Sequence, residues 1–147
     1  MAPIQPAGNR QYLTDVDVRI WLRDNDPAAN LLLDDYEFAP EEIRSAMTLA
    51  VDYWNDQPPP LMLPYDYTRF PWRSSLLRAT AANLLFMAAH RFRRNALSYS
   101  AGGMTVADQE KYAQYDTAGG ALWDEYKLWV ANQKRAINIS QGFAVLA

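Results

Sequence analysis

Cysteine is absent from the 147 residues, and histidine occurs once, at His90. The first absence removes disulfides, thiolate nucleophiles and every cysteine-ligated zinc site. The second removes a multi-histidine metal centre within one chain. Long apolar runs are missing too. The longest candidate, ATAANLLFMAA at 79–89, is closely flanked by arginines and is about half of the roughly 20 residues that span a bilayer. The opening MAPIQPAGNRQY has neither the basic n-region nor the apolar h-region of a secretory leader. We therefore expect no leader and no membrane partner. Phosphate-binding glycine signatures, G-x-x-x-x-G-K-[ST] and G-x-G-x-x-G, do not occur.

What is present is a globular composition, 50% hydrophobic and 21% charged, of a length that suits one domain with a real core. Five Trp and nine Tyr suit a filled core or a large protein interface. The net charge of −3 is unevenly placed. Residues 1–66 hold 4 basic and 12 acidic side chains, whereas 67–147 hold 10 basic and 5 acidic. Such a polarity can be folded away internally, can let one copy attract another head to side, or can let one face meet an acidic partner. An acidic chain is a poor free DNA-binding protein.

Residues 1–13 lack periodicity and read as an extended N-terminal arm that needs a docking partner to become ordered. In TDVDVRIWLRD, Thr14 is a candidate N-cap, and Asp15 and Asp17 suit the first turn of a short helix. Ile20 and Trp21 give that helix an apolar side, although the V-D-V-R-I alternation also permits a strand. NDPAANLLLDDYEF is a loop with an apolar centre at Leu31–Leu33. The next helix opens at Pro40, with Glu41 and Glu42 in its first turn. Ile43, Met47, Ala50, Val51 and Trp54 share one face, and the prolines at 58–60 end it.

The stretch QPPPLMLPYDYTRFP at 57–71 is proline-rich yet apolar. Each large side chain buried there is worth about 1.5–3 kcal/mol, so Leu61, Leu63, Tyr65, Tyr67 and Phe70 must pack on their own domain or on a partner. We take them as a candidate second contact surface. A long helix then runs from Trp72 to about Ala96, with Leu76, Leu77, Thr80, Leu84, Ala88 and Phe92 at helical spacing. Another opens at Thr105 and reaches about Arg135, with Tyr112, Tyr115, Gly119, Leu122, Trp123, Tyr126 and Val130 as its stripe. Gly119 and Gly120 in its middle mark a kink or a close helix contact. Beyond it, AINISQGFAVLA alternates Ile137 and Ile139 with polar residues and ends in Phe143, Val145 and Leu146. This pattern reads as extended chain suited to adding as a strand to a partner.

SAGGMT between the two long helices lacks the spacing and the lysine of a phosphate loop, and reads as a corner. TVAD after it is close to a capping box. Arg91, Arg93 and Arg94 end the preceding helix, where the dipole favours cations by about 0.3–1 kcal/mol each. With Arg78 they are also candidate contacts to DNA phosphates or an acidic partner. His90 as a general base has no sequence-tied nucleophile. Asp34, Asp35, Glu37, Glu41 and Glu42 form a loop and a helix start, with no glycosidase or metal motif. NIS at 138–140 matches a glycosylation acceptor without a secretory context. We expect no enzyme, no catalytic residue, no cofactor and no metal.

RNALSYSAGG at 94–103, WVANQKRAINISQGF at 129–143 and the helical spacer between them resemble a family of tailed-bacteriophage neck proteins, the head-to-tail adaptors or connectors. The resemblance covers the C-terminal third to half of the chain. It implies a virion structural protein, assembled in the host cytoplasm. Such a protein forms a ring, typically dodecameric, between the portal and the tail or neck protein below, with genomic DNA passing its lumen. It also implies that an extended C-terminal segment, here 137–147, docks on the portal or on a neighbouring subunit. The expected fold is mainly α. It is a small helical bundle of three long helices and a short N-terminal one, spanning 14–136, with an extended arm at 1–13 and an extended tail at 137–147. Rival readings are a nucleic-acid-binding module using the arginine cluster, another tail or baseplate component, and a small enzyme built on His90 and a carboxylate.

Overall fold

A computed structural model describes residues 12–29, 35–58, 64–98 and 106–140. Four helices make the chain mainly α, and no strand occurs among the described residues. They are α1 (Asp15–Leu22), α2 (Pro40–Asp56), α3 (Arg73–Ser98) and α4 (Val106–Ser140). Short 3-10 turns lie at Pro27–Ala29 and Tyr67–Arg69.

The start of α1 follows from its capping box. The Thr14 hydroxyl accepts from the Asp17 backbone N–H at 3.3 Å, and the Asp17 carboxylate accepts from the Thr14 backbone N–H at 3.0 Å. The helix stops at Arg23, whose φ of 61° is left-handed. Pro40 occupies the first turn of α2, and Glu42 Oε1 accepts from the Ala39 N–H at 3.1 Å. All five apolar residues expected on the inner face of α2 are buried.

Cross-helix contacts fix the topology. Asn83 donates to the Ala46 carbonyl at 3.0 Å and Arg91 pairs with Glu42 at 2.8 Å, so α2 and α3 run antiparallel. Phe92 stacks on Tyr115 with ring centroids 5.5 Å apart, and Arg78 lies 4.0 Å from Glu125, so α3 and α4 are antiparallel too. α2 therefore lies parallel to α4. The buried Tyr126 hydroxyl donates to the Ala50 carbonyl at 2.6 Å across that pair. Gly119 makes the approach of α4 to α3 possible: a Cβ there would sit 3.1 Å from the Ala82 carbonyl oxygen and 3.2 Å from the Phe86 ring. Gly120 faces open space. The expected glycine signal is thus a close contact at one position only.

Three expectations change. Tyr12 and Leu13 were placed in the arm, but Leu13 is buried in the core, so the domain begins before Thr14. Residues 1–11 lie outside the described set. α3 extends past Ala96 to Ser98 and α4 past Arg135 to Ser140. Residues 137–140, read as the start of an extended tail, are helical. Strand alternation would put Ile137 and Ile139 on one side. Residues two positions apart on a helix are separated by about 200°, so Ile137 packs against the core while Ile139 is exposed. The Ile137 side chain continues the Val130–Lys134 stripe, and this inward contact favours further helix over extended chain. The helix corner at 99–105, with the cap expected at Thr105, and the apolar Leu31–Leu33 lie outside the described residues.

Candidate functional site

The aromatic residues converge on Trp54. Its ring lies 4.7 Å from Trp72, 5.3 Å from Trp129 and 5.7 Å from Phe70, centroid to centroid. Phe70 has no exposed surface. Tyr65 and Tyr67 are half-buried against the same cluster. The Tyr65 backbone is held by Asn55, which donates to its carbonyl and accepts from its N–H, both at 2.9 Å. The loop expected to offer a second contact surface therefore uses Tyr65, Tyr67 and Phe70 to close its own core. The reason is proximity: the 3-10 turn at 67–69 sets Phe70 directly over the end of α2. Leu61 and Leu63 lie outside the described residues.

Lys134 was not anticipated. It is buried on the inner face of α4, its Nζ 4.7 Å from the Trp54 ring centroid. The ring face attracts the ammonium, while burial pushes its pKa down. Its position, four residues after Val130 and three before Ile137, was the sequence signal for an inward side chain. A second buried polar unit joins α1 to the start of α2. Arg19 Nη1 lies 2.9 Å from Asp24 Oδ2, and Asp24 also accepts from the backbone N–H groups of Glu37 at 2.7 Å and Phe38 at 3.1 Å. The Arg19 guanidinium also stacks 4.2 Å from the Tyr36 ring centroid.

The four arginines do not form one basic face. Arg91 Nη2 pairs with Glu42 at 2.8 Å and Nη1 donates to the Glu37 carbonyl at 3.2 Å, tying α3 to the start of α2. Arg93 lies over Tyr112 at 5.7 Å, and Arg78 faces Glu125. Arg93 and Arg94 are exposed. Because α3 runs on to Ser98, none of the cluster lies in its last turn. The dipole explanation for their placement falls with that, since the effect is confined to the terminal turn. His90 is exposed on α3. Among the described residues, no group of three or more His, Asp or Glu could hold a metal ion, and no helix is long and apolar enough to cross a membrane.

Of the tail residues expected to dock, Ile137 packs inward, Ile139 is exposed, and Phe143, Val145 and Leu146 lie outside the described residues. The apolar side of α1 faces outward. The helix buries Val18 and half-buries Leu22, while Ile20 and Trp21, the apolar side expected from the sequence, face solvent with Val16. A groove of about 390 Å³ lies between the end of α2 and the second half of α4, lined by Tyr53, Gln57, Lys127, Val130 and Arg135 among others. Comparison with family models, with curated proteins and with solved structures gives no match.

Proposed function

We propose that the chain is a structural virion protein, a head-to-tail adaptor that assembles into a ring between portal and tail. The observation that carries this reading is the outward apolar face of α1, Val16, Ile20 and Trp21, on a bundle whose Trp54 aromatic cluster is used internally. A small domain with such a face is built to be covered by another protein. The resemblance of 94–103 and 129–143 to the adaptor family supplies the class of partner. The basic second half and acidic first half of the chain suit the unlike faces that a ring brings together.

In this reading the C-terminal segment docks on the portal or on a neighbour, and it begins beyond the helical Ser140. Truncation after Ser140 tests it. Portal binding is expected to disappear while the far-ultraviolet circular dichroism keeps its helical amplitude. Undiminished binding by the truncated protein would remove the docking role of the tail. The mass of the purified protein, alone and mixed with a portal ring, tests the ring itself. A second reading, contact with DNA in the lumen, keeps the exposed Arg93 and Arg94 as its residues. Retention on immobilised DNA that falls steeply with salt would favour it.

A further inference from the structure

α1 is turned with its apolar side outward. Val16 and Ile20, one turn apart, are 56% and 49% exposed, and Trp21 is 46% exposed. The inward side carries Val18 and the ion-paired Arg19 instead. Single exposed apolar residues are ordinary. Here, however, five of the eight exposed large hydrophobics among the described residues lie on or beside this one short helix: Tyr12, Val16, Ile20, Trp21 and Tyr36. That concentration needs a cover.

The groove between α2 and α4 has complementary character. Tyr53, Pro58 and Ala131 give it apolar walls over the buried Val130, and Lys127 and Arg135 give it cations. Its volume of about 390 Å³ lies in the range of pockets that accept a large side chain or small ligand. Lys127 and Arg135 are exposed on this side of α4, whereas Lys134 between them is turned into the core. Residues 12–37 contain seven acids and two arginines, and Asp15, Asp26 and Asp35 are exposed around α1. Lys127 already meets Asp124 at 2.9 Å, but a surface pair of this kind is worth only about 0–1 kcal/mol and yields readily to a better partner. Within one chain α1 packs on α2 and α3, while α4 forms the long wall of the groove.

We propose that α1 of one copy docks in the α2–α4 groove of the next. Ile20 and Trp21 meet Tyr53, Pro58 and Ala131, and the acids around α1 face Lys127 and Arg135. The inference deepens the ring reading by naming the two faces that meet. Because the faces differ, the contact is heterologous, and it propagates around a closed ring instead of stopping at a pair. Ile139, exposed on the last turn of α4, lies at the end of the same strip.

The absence of cysteine makes a clean test. Ile20→Cys and Asn138→Cys are made singly, and the purified proteins are oxidised alone and mixed. Asn138 lines the groove. The mixture is expected to give one disulfide-linked pair containing one copy of each variant, and the double variant a ladder of linked multimers. Neither single variant alone should link. A linked pair from Ile20→Cys alone would mean that two α1 faces meet each other, and would overturn the proposal. So would a silent mixture under conditions where the unmodified protein forms a ring, which would leave the ring reading standing. An unmodified protein that stays monomeric alone and with a portal ring, with no link in the mixture, would overturn both.

Discussion

Glu37 sits where the chain turns into α2, its backbone N–H donating to Asp24 and its carbonyl accepting from Arg91. Burial, then the charges of Asp24 and Glu42, push its carboxyl pKa up from the ordinary 4.5, against the pull of Arg91 and Lys111. A folded-state pKa above the unfolded one means that the folded chain binds this proton more tightly. The ionised carboxylate is therefore a penalty at neutral pH, and it is relieved as pH falls through the folded value. Glu37→Gln should raise the melting temperature at pH 7, with the advantage vanishing below about pH 4.5. Thermal melts of both proteins across that interval check it. Asp17 behaves oppositely. Burial tends to raise its pKa, but the Thr14 backbone N–H and hydroxyl and the Arg73 guanidinium outweigh that and hold it below the ordinary 3.8. Its contribution is present above that value and is lost as pH falls through the lower folded one. At Phe70 the core role has a plain consequence. Phe70→Ala should cost about 3–5 kcal/mol in a denaturant titration, whereas a docking side chain on a free surface would change stability by about 0.5 kcal/mol or less.

At the scale of elements, α2 was legible almost entirely. Pro40, the two glutamates and the Ile43–Trp54 stripe all point to one helix, and the structure has it. The stripes of α3 and α4 were also readable, because each runs long enough for a 3.6-residue period to outweigh local noise. What misled was short range. Four alternating residues, Ile137 to Ser140, carry a strand pattern, yet Ile137 is an ordinary inward position of α4. In α1, eight residues are too few for periodicity to say which side faces the core. The Arg19–Asp24 pair, with Asp24 accepting from two further N–H groups, fixes that choice. No local pattern announces so nonlocal a contact. The outward face of α1 and the α2–α4 groove were therefore hidden in the sequence, whereas for Phe70 it left packing on its own domain or on a partner open. The glycine pair in α4 left a kink or a close contact open, and the structure has the contact at Gly119 alone. Gly120→Ala should stabilise the protein by about 0.5–1 kcal/mol, the gain in helix propensity with nothing to clash. Gly119→Ala gains the same propensity but forces its methyl to 3.1 Å from the Ala82 carbonyl oxygen, which is backbone and has little room to yield. It should fall below the unmodified protein in the same denaturant titration, so the two neighbouring substitutions should have opposite signs.

At the scale of the molecule, the internal ties and the external faces answer to salt differently. Arg19 and Asp24 are nearly excluded from solvent, and the ring contacts of the aromatic cluster around Trp54 are not screened by salt. Screening acts mainly between exposed charges, with a Debye length of about 10 Å at 0.1 M and about 3 Å at 1 M. The acids around α1 and the Lys127–Arg135 strip are exposed, so their attraction between copies lies within reach of salt. Raising sodium chloride from about 0.1 M to 1 M should therefore shift the assembly toward smaller species in sedimentation equilibrium. The melting temperature of a dilute, unassembled sample should move little over the same range. The apolar part of the proposed contact, Ile20 and Trp21 on Tyr53, Pro58 and Ala131, is not screened, so assembly should weaken without being abolished. Arg135→Glu places an acid against the acids of α1, and its assembly should improve with salt as repulsion is screened. The two opposite salt slopes together separate a charge-matched heterologous contact from a purely apolar one, in which neither protein would respond.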